Sequence, residues 1–301
     1  MHNVCVLMST YNGEKYLREQ IESLKLQKGV CLSILARDDG SSDATIGILD
    51  EYKNAGVLEW YSGENIGSAR SFLDLVAHAP ECEYYAFCDQ DDYWFPEKLA
   101  AAIGKLAETD NSKSALYFSG TQFADANLNP IPLKDKCDFA TLRIPAAFMF
   151  NIAKGCTMVF NRCLAERLSE YHPETVDMHD AWVYKVCLVT GNQVIADPNS
   201  YILYRQHGSN VIGESNGFIG KWRKKLSALK SNPHFRSRVV QEILRGYDGN
   251  LTDREREQLQ VLGNYRSRFG YWVKVVFSPS YSAPFLKYTL LFKLAVLFRM
   301  F

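Results

Sequence analysis

Along the first hundred residues, short apolar runs alternate with stretches in which apolar residues recur every three or four positions. "VCVLM" (4–8), "LSILA" (32–36), "VLEWY" (57–61) and "YYAFC" (84–88) are unbroken runs closed by polar turns, and they predict buried strands. Between them, "EKYLREQIESLKLQ" (14–27) places Leu17, Ile21 and Leu24 on one helical face. Further helices are predicted through "ATIGILDEY", with Ser41, Ser42 and Asp43 as capping types, around 69–78, and from Pro96, a residue favoured at the first helical position. Such alternation predicts an α/β fold, a mainly parallel sheet with helices on both faces.

The later chain is less regular. "ALYFSGTQFAD" (115–125) suggests strands, "LNPIPLKDK" (128–136) a loop, and "KGCTMVFNR" (154–162) a strand entering a helix. "HDAWVYKVCLVTG" (179–191) reads as a helix closed by Gly191, followed by two strands, "QVIAD" and "YILYRQH" (201–207). The Gly-, Ser- and Asn-rich stretch 208–217 then gives way to basic helical sequence. A boundary is expected near 215, dividing 1–215 from a helical C-terminal extension, 216–301.

Composition narrows the function classes. The 301 residues carry 34 Lys/Arg and 34 Asp/Glu, so no bulk positive field draws the chain to nucleic acid. Basic charge concentrates between Phe218 and Arg245, where eight Lys/Arg face one acid, Glu242. The eight cysteines form no C-x-x-C pair and no metal-ligand array; with no leader pattern ahead of Val4, a reduced cytoplasmic setting is expected. No run approaches the length of a spanning helix. "FIGKWRKKLSALK" (218–230) and the final segment 285–301 have the make-up of interfacial helices drawn to anionic lipid, or equally of helices packed on the core with a solvated basic side.

Ligands of open α/β sheets bind beyond the carboxyl ends of the strands. "STYNG" (9–13), "RDDGSSD" (37–43), "GENIGSAR" (63–70) and "DQDD" (89–92) all occupy such ends and predict one shared site. The acids of "DQDD" suit a hard divalent cation, Mg²⁺ or Mn²⁺, or else form a solvated loop capping the Pro96 helix. The Asp pair of "RDDGSSD" offers an acceptor to a pyrimidine ring N–H, or makes a capping turn. Thr10 and Tyr11 stand between the same alternatives.

Taken jointly, "STYN", "DDGSSD", N-x-G-x-x-R at 65–70, "DQDD" and the Pro-acid-Lys-Leu at 96–99 resemble glycosyltransferase family 2 over roughly residues 3–210. "CDQDDYW", "GCTMVFN", "MHDAW" and "YRQHGSN" look most like its bacterial rhamnosyltransferase-type members, which act on cell-surface polysaccharides. The resemblance implies a GT-A, Rossmann-like fold and inverting transfer from a nucleotide-sugar donor. It implies that Asp39 bonds the base near Thr10 and Tyr11, that Arg70 approaches the diphosphate, and that Asp89 faces the donor's ribose or sugar. Asp91 would bind the metal, with Asp92 a second candidate ligand and His207 a further metal or phosphate contact. Asp180 would be the general base, in a place where His179 replaces the family's usual Glu; an N-cap for the helix that follows is a compatible role. Trp94, Cys156, Thr157 and His179 would line the acceptor or sugar pocket, with Tyr93 and Trp94 as a wall.

The implied donor is dTDP-L-rhamnose, with a UDP-hexose or UDP-N-acetylhexosamine as the alternative. The implied acceptor is a cell-surface polysaccharide or lipid-linked oligosaccharide, reached from the inner face of the cell membrane by peripheral contact. Without a QxxRW motif, one sugar per encounter is expected. A non-catalytic nucleotide-sugar-binding protein is the reading from another class, and the joint presence of Asp91 and Asp180 argues against it.

Overall fold

A computed structural model describes residues 1–132, 141–206 and 234–301. The chain divides into two compact units, which are taken separately: Met1–Thr141, Ala153–His172 and Met178–His207 form the first, and Leu142–Ile152, Pro173–Asp177 and the chain from Gly208 to Phe301 form the second.

An eight-stranded sheet organises the first unit: β1 (His2–Thr10), β2 (Val30–Asp38), β3 (Glu59–Ser62), β4 (Tyr84–Asp89), β5 (Tyr93–Trp94), β6 (Ala115–Ala124), β7 (Val159–Asn161) and β8 (Gln193–Arg205). The spatial order is β3-β2-β1-β4-β7-β6-β8-β5. β3, β2, β1 and β4 run parallel, as do β6 and β8, whereas the β4–β7, β6–β7 and β5–β8 pairs are antiparallel. β1 lies in the middle of the parallel half, and Val4 to Met8 are fully buried there, as an unbroken apolar run in a doubly covered strand requires. The α/β architecture expected from the strand–helix alternation is therefore the one the chain adopts.

The helices of this unit are α1 (Leu17–Lys25), α2 (Thr45–Asn54), α3 (Ser68–His78), α4 (Lys98–Leu106), α5 (Arg162–Ser169) and α6 (His179–Thr190). Leu17, Ile21 and Leu24 of α1 are all fully buried, as their spacing predicts. α4 begins two residues after Pro96, with Glu97 at the N-cap.

Two local features differ from the sequence reading. "QVIAD" and "YILYRQ" belong to one 13-residue strand, β8, with the intervening Pro198 and Asn199 accommodated by a bulge against β6 at Ser119/Gly120. Asp197 steadies that bulge by accepting from Asn199 N–H (3.0 Å) and Tyr117 O–H (2.9 Å). Tyr93 and Trp94, expected as a pocket wall, instead form the short edge strand β5 paired with Leu203 and Ile202. Trp94 is fully buried in the main hydrophobic core.

The described helices of the second unit are α7 (Phe235–Tyr247), α8 (Asp253–Gly263), α9 (Phe269–Phe277) and α10 (Leu286–Leu297). Val240, Ile243, Leu259, Leu262, Val275 and Val296 make its core, and a capping box between Thr252 and Glu255 starts α8. None of the described helices is long and apolar enough to cross a membrane. The segment 218–230 lies outside the described residues.

Candidate active site

The site grows from strand ends in register. Thr10 stands opposite Asp38, Asp38 opposite Ser62, and Ser9 opposite Asp89, so the polar turns after β1, β2, β3 and β4 leave the sheet along one edge. Gln90 ties two of these turns together: Tyr11 N–H donates to its Oε1 (2.8 Å), and its Nε2 donates back to Tyr11 O (3.0 Å). A side chain at Gly13 would meet that amide, since a Cβ there would lie 2.3 Å from Gln90 Oε1.

At the end of β2 the carboxylates are well supplied with donors. Asp38 accepts from the N–H groups of Gly40 (3.1 Å) and Ser41 (2.9 Å), and from the hydroxyls of Ser41 (2.5 Å) and Thr10 (3.2 Å). That geometry makes Asp38 a turn-former and engages the buried Thr10 hydroxyl inside the protein, whereas Tyr11 is half exposed. Asp39 accepts from Ile66 N–H (3.0 Å), Gly67 N–H (2.9 Å) and the Arg37 guanidinium. Gly67 adopts φ +80°, a region hostile to side chains, and from it α3 begins, carrying the exposed Arg70 in its first turn.

The acids after β4 are differently placed. Asp92 is fully buried; its Oδ1 accepts from Arg205 N–H (3.1 Å), while its Oδ2 has no hydrogen-bond partner. Burial and then the charges of Asp91 and Asp89 push the Asp92 carboxyl well above its ordinary range. Asp89 is pushed up to about 7, first by burial and then by Asp91 and Asp180. Beneath them lies Lys98, buried on the apolar side of α4 with its Nζ 3.1 Å from the centre of the Trp94 ring and no hydrogen-bond partner. Burial draws Lys98 down to about 8 against the opposing pull of Cys88, Cys156, Asp92 and Asp89.

Arg205, at the end of β8, clamps this acidic turn. Its Nε donates to Asp91 O (2.6 Å), its Nη1 to Ala126 O and its Nη2 to Glu19, and the guanidinium lies over the Tyr16 ring. Asp180, nearly buried in the first turn of α6 rather than at its N-cap, is close enough to raise Asp89.

Among the described residues, Asp89, Asp92 and Cys156 bring ligand atoms within 4.8 Å of one another. Carboxylate oxygens and the orphaned Asp92 Oδ2 fit a hard divalent cation; the Cys156 thiol, which burial keeps protonated, does not suit one. Sequence reasoning gave first place to Asp91; its charge bears on both Asp89 and Asp92, the two carboxylates gathered with Cys156. His207 lies outside the described residues.

Three residues expected in an acceptor or sugar pocket are interior ones. Cys156 and Thr157 sit in a buried 3-10 turn, with Thr157 O–H donating to Lys154 O (2.8 Å). His179 packs between Phe72 and Phe87, 4.0 and 5.0 Å away, and burial lowers it to about 3. A Cβ at Gly155 would lie 2.1 Å from its Nε2, so the "KGC" glycine exists to admit that ring. Arg37, Lys98 and Arg205 were missed. Their signal was available as single cations embedded in otherwise apolar strand or helix faces.

Comparison with known proteins agrees with this geometry. Residues 5–150 match the family described as glycosyl transferase family 2. A dTDP-rhamnosyl transferase of Shigella flexneri, RfbG, is 27% identical over 278 residues, covering 81% of this chain and 90% of its own. Among solved structures, TarS of S. aureus in complex with UDP-GlcNAc superposes with a TM-score of 0.60 at 19% identity, over 93% of this chain and 78% of that one. The mannosyltransferase PcManGT from Pyrobaculum calidifontis, in complex with GDP-Man and Mn²⁺, gives 0.52 at 16% identity, over 99% and 80%. Strand-end aspartates, a buried acidic turn and the matched family model converge: residues 5–150 form a glycosyl transferase family 2 region, and the protein is a nucleotide-sugar glycosyltransferase.

Proposed function

We propose that the enzyme is an inverting glycosyltransferase that moves one L-rhamnosyl unit from dTDP-L-rhamnose to a cell-surface polysaccharide or lipid-linked oligosaccharide. The observation that carries the mechanism is Asp180, a carboxylate on a helix start whose charge is felt by Asp89 across the site. The donor reading draws on the likeness to the Shigella rhamnosyl transferase over most of both chains.

In this reading Asp39 and Tyr11 receive the base, and Arg70 donates charge-assisted hydrogen bonds to the diphosphate. Asp180 accepts the proton of the acceptor hydroxyl as its oxygen bonds to the anomeric carbon and the bond from that carbon to the phosphate oxygen breaks. The nucleoside diphosphate leaves with the bonding electron pair. Asp91, Asp92 and Asp89 would hold Mg²⁺ or Mn²⁺, which when bound supplies positive charge to the leaving diphosphate. Cys156 is no nucleophile here, because its buried thiol stays protonated.

The second unit supports peripheral contact with an anionic membrane. Leu286, Leu290, Leu294 and Leu297 form an exposed stripe along α10, opposite Phe292, Ala295 and Val296. No Asp or Glu follows Glu257, while Arg266, Arg268, Lys287 and Arg299 are exposed.

A donor panel tests the function: purified protein with Mn²⁺ or Mg²⁺, dTDP-L-rhamnose against UDP-hexoses and UDP-N-acetylhexosamines, and a lipid-linked acceptor. Transfer or hydrolysis from UDP-sugars alone would remove the rhamnose assignment. For the membrane face, Leu290→Asp/Leu294→Asp should abolish sedimentation with vesicles containing phosphatidylglycerol; undiminished sedimentation would remove this face as the contact.

A further inference from the structure

Arg37 joins more of the rim than any expectation drawn from sequence assigned to it. It is 4% exposed, and its planar fork is engaged on every side. Nε donates to Asp74 Oδ2 (2.9 Å), Nη1 to Asp39 Oδ1 and more weakly to Ser71 Oγ (3.4 Å), and Nη2 to Glu64 O (3.1 Å). The fork needs an empty place beside it: a Cβ at Gly63 would lie 2.4 Å from Nη2. Asp74 is anchored in turn by Tyr61, whose hydroxyl donates to the same Oδ2 (2.8 Å), and Ser71 by Ser9 (2.7 Å between their hydroxyl oxygens).

A buried guanidinium persists only where its N–H groups are matched in direction as well as charge. Here that matching fixes Asp39. Its Oδ1 takes the guanidinium and Ile66 N–H, while its Oδ2 takes Gly67 N–H alone. A carboxylate oxygen accepts two hydrogen bonds comfortably, so Oδ2 keeps acceptor capacity and cannot rotate away.

We propose that Arg37 is the positioning residue for nucleobase recognition: with Asp74 as its second anchor, it orients Asp39 so that Oδ2 remains as one fixed acceptor for the imide N–H of thymine or uracil. The proposal rests on the reading of Asp39 as the base contact. It adds the source of selectivity, since a fixed anionic acceptor rejects cytosine, which presents a bare ring nitrogen there. Lysine would keep the charge at 37 but not the fork.

The test is calorimetric titration with dTDP, UDP, CDP and inorganic pyrophosphate, each with Mn²⁺, on the full chain and on Arg37→Met, Arg37→Lys, Asp39→Asn and the Arg37→Met/Asp39→Asn double variant, with Tm for each. Both Arg37 variants should weaken dTDP and UDP by about tenfold while leaving CDP and pyrophosphate within about twofold, with lysine the milder change. The double variant should bind dTDP no more weakly than Asp39→Asn. Loss of dTDP binding in Asp39→Asn but not in the Arg37 variants would overturn Arg37 as the positioning residue and leave Asp39 in place. Unchanged dTDP binding in Asp39→Asn would remove the base reading itself, and the proposal with it. An equal loss of all four probes would mean that Arg37 supports only the fold. If Arg37→Met does not fold, Asp74→Asn and Tyr61→Phe loosen the fork from its other side. They should show the same selective pattern, more weakly, and its absence in both would overturn the proposal.

Discussion

Two groups of aspartates stand on neighbouring strand ends in opposite circumstances. At β2, Asp38 and Asp39 are buried among backbone N–H groups, hydroxyls and a guanidinium supplied by the protein. At β4, Asp92 is equally buried but keeps an orphaned oxygen, and Asp89 is driven towards neutrality first by burial and then by its acidic neighbours. Burying a carboxylate is costly, and the cost is offset only by donors or by cations. The first group is therefore complete within the chain, a fixed surface for a neutral or hydrogen-bonding ligand. The second has fewer donors from the chain, and in the proposed mechanism a divalent cation would complete it.

That contrast can be broken most severely at Asp180. Asp180→Asn is expected to lower kcat by about 10²–10⁴ while donor binding is kept, because only the proton acceptor is lost. Steady-state turnover alongside calorimetric donor titration checks this, and undiminished turnover would remove Asp180 as base. Asp91→Asn should next separate the acids from those at β2: it should abolish the effect of Mn²⁺ on dTDP binding, an effect Asp38→Asn leaves intact. Unchanged metal dependence in Asp91→Asn would show that Asp89 and Asp92 suffice.

Stability gives the contrast a sign. Asp38→Asn puts an amide against N–H donors and should cost about 1–3 kcal/mol in denaturant unfolding. Asp92→Asn, measured without divalent ions, should instead raise Tm, since it removes the cost of protonating a carboxyl that burial denies its charge while keeping an acceptor for Arg205 N–H. Destabilisation by Asp92→Asn in chelator would sink this account.

The pH dependence is a finer measure. Asp89 sits at about 7 in the fold against an ordinary 3.8, so across that window the folded protein holds a proton the unfolded chain has released. Its contribution is full below about pH 4 and is lost as pH rises through 7; that of His179, lowered from 6.5 to about 3, is present above 6.5 and lost as pH falls. Between pH 6.5, above which His179 no longer changes, and about 7, below the range where Lys98 (drawn from 10.5 to about 8) begins to add stability, the carboxyls set the slope and Tm of the metal-free protein should fall. A flat profile there would contradict the carboxyl shifts. The smallest effect belongs to Gly155→Ala, expected to cost about 1–3 kcal/mol through the His179 ring and to be partly recovered by adding His179→Ala.

How much of this was legible varies with the kind of signal. The parallel half of the sheet and its rim could be read because Val4 to Met8 and Tyr84 to Cys88 are long enough to carry a pattern, and polar turns follow each run. Tyr93-Trp94 could not: two residues have no periodicity, and an aromatic pair beside acids reads alike as a wall or as an edge strand. The buried cations gave only a partial signal, a lone charge on an apolar face, for another reason. Lys98 shares its helical face with Leu99, Ala102 and Ile103, but only the tertiary arrangement puts it under Asp92. Likewise Asp91 and Asp92 are adjacent in sequence, and which carboxylate turns inward depends on Arg205, more than a hundred residues away.

The Gln90 amide acts as one more rung of a ladder. Its paired bonds to Tyr11 occupy both the N–H and the C=O of that residue, joining the turns just past the last paired residues of the parallel β1–β4 ladder. Nucleotide loop and acidic turn are thereby yoked. A shift of one turn must carry the other, so in the proposed mechanism the donor and the ion would meet a single mechanical unit.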